Sequence, residues 1–236
     1  FTTEDDIQLP NSGFEDWYTD SDGLPKPAKD ASSSFWDCGN VNYFGKHIMT
    51  TQDDETALGQ GSSVKMETQE TMKIIAAGNI FTGTFERDGM GGILTLGRNF
   101  ECRPNKLKGY YKYTSAKVSV SKGHLNEGED DLCSLYIALT DEQITVNTNK
   151  GIYFDPNSSA VIAYGSISDE ESKGADSFQE FAVDLEYKDL KRIPKYIIVV
   201  ASSSKYGDYM EGGKGSTMWL DDLELVYPKS MEEVRK

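Results

Sequence analysis

The sequence has little that could run nucleophilic or metal chemistry. Only two histidines, His47 and His124, occur in 236 residues. Neither has a sequence neighbour that would make it a general base, so surface or loop positions are expected of both. No G-x-S-x-G elbow, phosphate loop or dinucleotide fingerprint is present, which leaves serine-hydrolase and nucleotide-binding readings without support. Cys38, Cys102 and Cys133 are widely spaced and form no C-x-x-C pair, so nothing points to zinc. Three buried, reduced thiols are expected, with one disulfide plus a free thiol as the alternative. No run reaches the ~18 apolar residues of a membrane helix. Basic residues are scarce: 24 Lys and Arg stand against 39 Asp and Glu, a formal net charge of −15. That balance argues against a nucleic-acid backbone or an anionic membrane surface as partner. Convincing helical periodicity is also missing between Phe1 and Tyr227.

What is present reads as strand. Aromatics make up 11% of the chain and glycines number 22, which suits many strands joined by tight turns. Val64, Met66 and Thr68 alternate, as do Phe181, Val183, Leu185 and Tyr187. Residues 132–139 and 196–201 are apolar on both faces, and residues 107–113 carry aromatics on both faces, as a central strand does. Ile7-Gln8-Leu9 is a short strand-like piece closed by Pro10. Polar loops are expected at residues 18–34, 121–131, 168–176 and 202–215. Turns every eight to twelve residues indicate an all-β sandwich or barrel. No repeat or linker divides the chain. The expectation is one domain over residues 11–228, with a lead-in at 1–10 and a charged tail at 229–236. The chain starts at Phe1 without a basic and apolar leader, so any export signal would not be part of this sequence.

The last strand is the most informative. Trp219, Leu223, Leu225 and Tyr227 share one parity, which predicts one buried face. Asp221 has the same parity, and a core-facing carboxylate needs a partner, a hydrogen-bond cage or a metal. Glu15, after a Gly-Phe turn near the other end, is a candidate companion. Hard carboxylates with backbone carbonyls would suit Ca²⁺; the alternative is that Asp221 caps backbone amides or pairs with Arg103.

Glycosidase chemistry would need two carboxyl groups ~5–5.5 Å or ~6.5–9.5 Å apart. Glu67, Glu70, Glu86 and Glu180 are candidates, but solvated sheet faces are the better explanation of such acids. Sugar binding asks only for flat aromatic faces and planar polar groups. Trp36, Tyr43, Tyr110, Tyr111 and Tyr113 offer rings, and Asn40, Asn42 and Lys112 offer hydrogen bonds, against the plain alternative that most such rings are core. Tyr206 and Tyr209, in a polar glycine-rich loop, are least explained by packing.

Four stretches carry a resemblance. Asn11-Ser12-Gly13-Phe14-Glu15-Asp16-Trp17 and Trp219-Leu220-Asp221-Asp222-Leu223-Glu224-Leu225 resemble the bracketing motifs of galactose-binding-like, jelly-roll carbohydrate-binding modules. Ala76-Ala77-Gly78-Asn79-Ile80-Phe81-Thr82-Gly83 and Arg103-Pro104-Asn105-Lys106-Leu107-Lys108-Gly109-Tyr110-Tyr111-Lys112-Tyr113 resemble more specifically the putative carbohydrate metabolism domain family of Bacteroidetes, known mostly from gut species. The resemblance implies an all-β, single-domain jelly-roll β-sandwich on exported proteins that handle glycans, often cell-surface lipoproteins of the outer membrane, or periplasmic. It implies a structural calcium near Glu15 and Asp221 or Asp222, and no catalytic residue. The resulting expectation is a non-catalytic carbohydrate-binding domain with an oligo- or polysaccharide partner. Its predicted ring contacts are Trp36, Tyr43, Tyr110, Tyr206 and Tyr209. It predicts no nucleic acid and no membrane insertion of the domain. A carboxylate-pair glycoside hydrolase and a structural or adhesive surface module are the alternatives.

Overall fold

The alternating stretches fold into two antiparallel sheets in the computed structural model, which describes residues 7–228. In chain order the sandwich strands are β1 (Trp36–Asp37), β2 (Thr50–Asp53), β3 (Ser63–Glu67), β4 (Asn79–Asp88), β5 (Gly91–Leu96), β6 (Arg98–Asn99), β7 (Lys106–Thr114), β8 (Ser134–Thr140), β9 (Ile144–Asn147), β10 (Val161–Ser166), β11 (Gln179–Asp184), β12 (Glu186–Tyr187), β13 (Tyr196–Ser202) and β14 (Thr217–Val226). The larger sheet runs β9-β5-β4-β13-β8-β10-β12, with β1 on β4 and β6 on β13; the smaller runs β11-β7-β14-β3-β2. The fold is a jelly-roll β-sandwich. The charged tail expected at 229–236 and the first six residues of the lead-in lie outside the described residues.

Burial follows the period-two pattern. Leu107, Tyr111 and Tyr113 of β7 and Met218 and Leu220 of β14 face Leu135, Ile137 and Leu139 of β8 and Ile197 and Val199 of β13 across the core. The alternation from Phe181 to Tyr187 spans a corner. Phe181 and Val183 belong to the smaller sheet, whereas Tyr187 pairs in the larger one. All three cysteines are buried, and burial pushes Cys38 and Cys133 up to about 12.

The chain ends meet as expected, by a different device. Ile7-Gln8-Leu9 forms no strand; instead the Gln8 side-chain amide bonds the backbone of Leu225, donating at 2.8 Å and accepting at 2.7 Å. The Leu223 amide donates to Ser12 O at 3.0 Å.

The parity predicted for the last strand is corrected by a bulge. The register between β7 and β14 shifts at Lys108/Tyr110, and Asp222 adopts φ 47°, a left-handed conformation that aspartate tolerates. One extra residue flips the faces. Met218 and Leu220 point inward before the bulge and Leu223 and Leu225 after it. Trp219 and Asp221 therefore sit on the outer face, opposite Lys112 and Tyr110. Gly109 makes the close approach possible: a Cβ there would lie 2.8 Å from Leu223 Cδ2 and 3.0 Å from the Asp221 carbonyl.

Among the described residues no helix is long and apolar enough to cross a membrane.

Candidate functional site

The outer face of the larger sheet is apolar, which an ordinary solvated sheet face is not. Phe81, Leu94, Leu96, Ala138, Val146 and Ile198 form a second buried cluster there. Two loops, residues 148–160 and 203–216, leave a cleft of about 420 Å³ lined by Tyr136, Tyr153, Phe154, Tyr164, Tyr206 and Tyr209. Tyr136 projects from β8 and Tyr164 from the neighbouring β10. Phe154 stacks on Tyr136 (4.9 Å, 20°) and lies 6.1 Å from Tyr164. On the other side Tyr153 meets Tyr209 at 4.0 Å. The His124 ring stacks on Tyr206 (4.4 Å, 16°) and lies 4.3 Å from Tyr209.

Two buried carboxylates hold the loop that carries Tyr206 and Tyr209. Asp131 Oδ2 accepts from Ser204 Oγ (2.6 Å), Gly213 N (2.8 Å) and Ser216 Oγ (2.8 Å), tying both ends of the loop to one point. Burial raises its carboxyl against the pull of those donors. Glu211, 0% exposed, accepts from the amides of Lys122 (2.8 Å), His124 (3.2 Å) and Leu125 (2.5 Å), and lies 3.1 Å from His124 Nδ1. Burial opposes ionisation of Glu211, yet the hydrogen bonds together hold its carboxyl below the usual range. Satisfied buried carboxylates of this kind fix loops rigidly. The platform is thus pre-organised.

Asp208 behaves differently. It lines both this cleft and an adjoining cavity of about 60 Å³. Burial alone raises its carboxyl. Lys205, also in the cleft, is bound at 2.9 Å to Asp169.

The structure brings Tyr206 and Tyr209 of the sequence-predicted rings into the cleft and leaves the others outside it. Trp36 is 1% exposed, donates from Nε1 to Pro10 O (2.7 Å) and packs edge-on against Phe14, so it offers no face to a ligand. Tyr43 lies at a hairpin turn beneath the Arg87 guanidinium, 4.0 Å away. Tyr110 lies on the outer face of the smaller sheet, opposite Asp221 and Glu180. Tyr111 and Tyr113 are core. Glu67, Glu70, Glu86 and Glu180 stand on four separate strands, and none of them lines this cleft. His124, expected to be a loop histidine without a partner, has both Glu211 and two rings. Tyr136, Tyr153, Phe154, Tyr164 and Asp208 were not singled out from sequence. The run Tyr206-Gly207-Asp208-Tyr209 held the one local signal for the acid.

Asp221 turns out to cap a backbone amide: its Oδ2 accepts from Ala57 N at 2.9 Å under the loop at residues 54–62. Arg103 instead donates to the Arg192 carbonyl. Glu15 accepts from Ser62 N (3.0 Å) and Ser62 Oγ (2.9 Å). Burial first, then the charges of Asp222 and Glu15, push Asp221 up to about 6. Among the described residues no group of three or more His, Cys, Asp or Glu side chains has metal-holding geometry. Two carboxylates supplemented by backbone carbonyls would still be a donor set that Ca²⁺ accepts.

The family described as "Putative carbohydrate metabolism domain" matches residues 11–226. A solved structure described as a putative glycoside hydrolase from Bacteroides vulgatus ATCC 8482 is similar over 96% of both chains, at 21% identity and a TM-score of 0.63. Another, with the same description, from Bacteroides thetaiotaomicron VPI-5482, is 25% identical with a TM-score of 0.61. That likeness covers 78% of this chain and 58% of the other, so this chain spans less than two thirds of that protein's length. No curated protein matches the chain.

Proposed function

Because the chain belongs to the putative carbohydrate metabolism domain family, a family of carbohydrate-related domains, we propose that it binds a glycan, without cleaving it, in the aromatic cleft on the outer face of the larger sheet. The observation that carries this reading is the pair of ring groups, Tyr136-Phe154-Tyr164 and Tyr153-Tyr209-Tyr206, facing one cleft of about 420 Å³. Flat faces take the apolar C–H faces of sugar rings, and phenol hydroxyls at their rims take ring hydroxyls. The loop carrying Tyr206 and Tyr209 is held before ligand arrives, which lowers the ordering cost of binding. A glycan screen followed by calorimetry on Tyr209→Ala and Tyr164→Ala tests it: each truncation weakens binding about tenfold. Absence of binding to any glycan at millimolar concentration overturns the proposal.

One observation favours hydrolysis as a second reading. Asp208 is a carboxyl raised by desolvation, as a general acid requires. The other acid of the cleft, Asp169, is neutralised by Lys205, which disfavours it as the second carboxylate. Release of reducing ends by the wild type, lost in Asp208→Asn, would replace the binding reading.

The same reading puts the domain on an exported protein, as an outer-membrane lipoprotein or in the periplasm, which cell fractionation tests. A structural Ca²⁺ shared by Glu15 and Asp221, with Asp222 beside them, is proposed with it. The support is the like-charge repulsion that burdens Asp221, which a divalent cation would relieve.

A further inference from the structure

Of the two acids lining the cleft, Asp169 is paired with Lys205, whereas Asp208 has no counter-charge among the described residues. Burial is the sole cause of its raised carboxyl. Among the described residues no hydrogen bond or ion pair reaches that carboxyl. It lies close enough to Tyr136 for its charge to help hold that phenol well above its ordinary range, after burial itself. The nearby basic groups are already matched: Lys205 Nζ to Asp169 (2.9 Å), and His124 Nδ1 to Glu211 (3.1 Å). Asp208 is half-buried and shares the lining of the open cleft, so water can serve its carboxyl; a ligand covering the cleft would remove that water, which is costly unless the ligand supplies a donor.

Resting on the glycan-binding reading above, we infer that the glycan taken by this cleft carries a free amino group, which sits as an ammonium against Asp208 among the tyrosine rings. A neutral sugar hydroxyl would donate one hydrogen bond and leave the charge uncompensated. An ammonium supplies donors and the opposite charge together. The rings reinforce the choice, because tyrosine rings carry a negative quadrupole that favours a cation, most strongly when desolvated, and Tyr136, Tyr206 and Tyr209 line the cleft together with Asp208. The net charge of −15 favours approach of such a ligand over an acidic one. N-acetylation removes both the charge and two of the donors, so the cleft discriminates the free amine from its acetamide.

Three β-1,4-linked oligomers of equal length separate the alternatives by calorimetry at pH 6 and physiological salt: a glucosamine oligomer, its fully N-acetylated counterpart, and a cello-oligomer. The wild type binds the amine oligomer at least about tenfold tighter than either neutral one. Asp208→Asn abolishes that preference while retaining whatever neutral binding exists. Glu180→Gln, which removes an exposed acid from the other sheet, keeps the preference and so controls for bulk charge. Equal affinities in the wild type, or a preference that survives Asp208→Asn, overturn the inference, as does failure to bind the amine oligomer while another glycan binds. Failure to bind any glycan overturns the cleft reading instead.

Discussion

Replacing Asp221 with asparagine probes the junction of the chain ends. The carboxyl is 2% exposed and its Oδ2 accepts from Ala57 N at 2.9 Å. Asparagine keeps the shape and that acceptor while removing the charge. Burial, then Asp222 and Glu15, push the carboxyl up to about 6, against ~3.9 for an unfolded aspartate. A folded value above the unfolded one means the native state holds the proton more tightly. The associated stability is therefore complete below about pH 3.9, falls as pH rises towards 6, and stays lost above it. A displacement of about two pH units corresponds to about 3 kcal/mol. In EDTA, Asp221→Asn should match the wild type at pH 4 and exceed it by up to about 3 kcal/mol at pH 8, read from urea unfolding. Calcium should narrow that gap. Wild type gains about 2.7 kcal/mol at a hundredfold excess over Kd, and the variant, short of one carboxylate ligand, gains less. Parallel pH curves for the two proteins in EDTA would refute the desolvation argument. An unfolding midpoint of the wild type that ignores calcium would refute the metal.

Gly109→Ala should destabilise by about 1–3 kcal/mol in urea unfolding, because its Cβ meets Leu223, the Asp221 carbonyl and Phe181 at 2.8–3.0 Å. Glu211→Gln should cost about 2 kcal/mol near neutral pH through weakened charged hydrogen bonds. Since the Glu211 carboxyl is held low, its stabilisation is present above about pH 4.3 and lost as pH falls through the folded value. Wild type and variant should therefore converge in acid, as thermal melts across pH would report. Trp36→Phe should lower stability by about 1 kcal/mol through loss of the Nε1 bond to Pro10 and leave glycan affinity unchanged in calorimetry; weakened affinity with an intact cleft would return Trp36 to the binding site.

Much of the fold was legible in the chain because side-chain alternation is a local property. The alternation at residues 181–187 and the apolar runs at 132–139 and 196–201 follow from it, while the meeting of the two ends follows from the matching motifs at residues 11–17 and 219–225. Composition alone explains why Tyr206 and Tyr209 stand out, since rings in a polar loop lack a core to pack into. The inward Asp221 failed for an equally local reason. Parity carries only as far as the next bulge, and the residue at Asp222 resets it. Trp36 stands among the expected ring contacts because a ring in a short strand reads the same whether it faces outward or into the core; its burial and its packing on Phe14 place it in the core.

The cleft itself is a product of strand order. Segments around residues 124, 136, 153, 164 and 208 converge because β13, β8 and β10 lie side by side, an adjacency set by closure of the whole sandwich. The chain carried the rings, the acid and the alternation. Tertiary structure decided which rings line the cleft and which of its acids lacks a counter-charge, because burial and counter-charge belong to the neighbours a side chain meets across the fold, and those neighbours are distant in sequence.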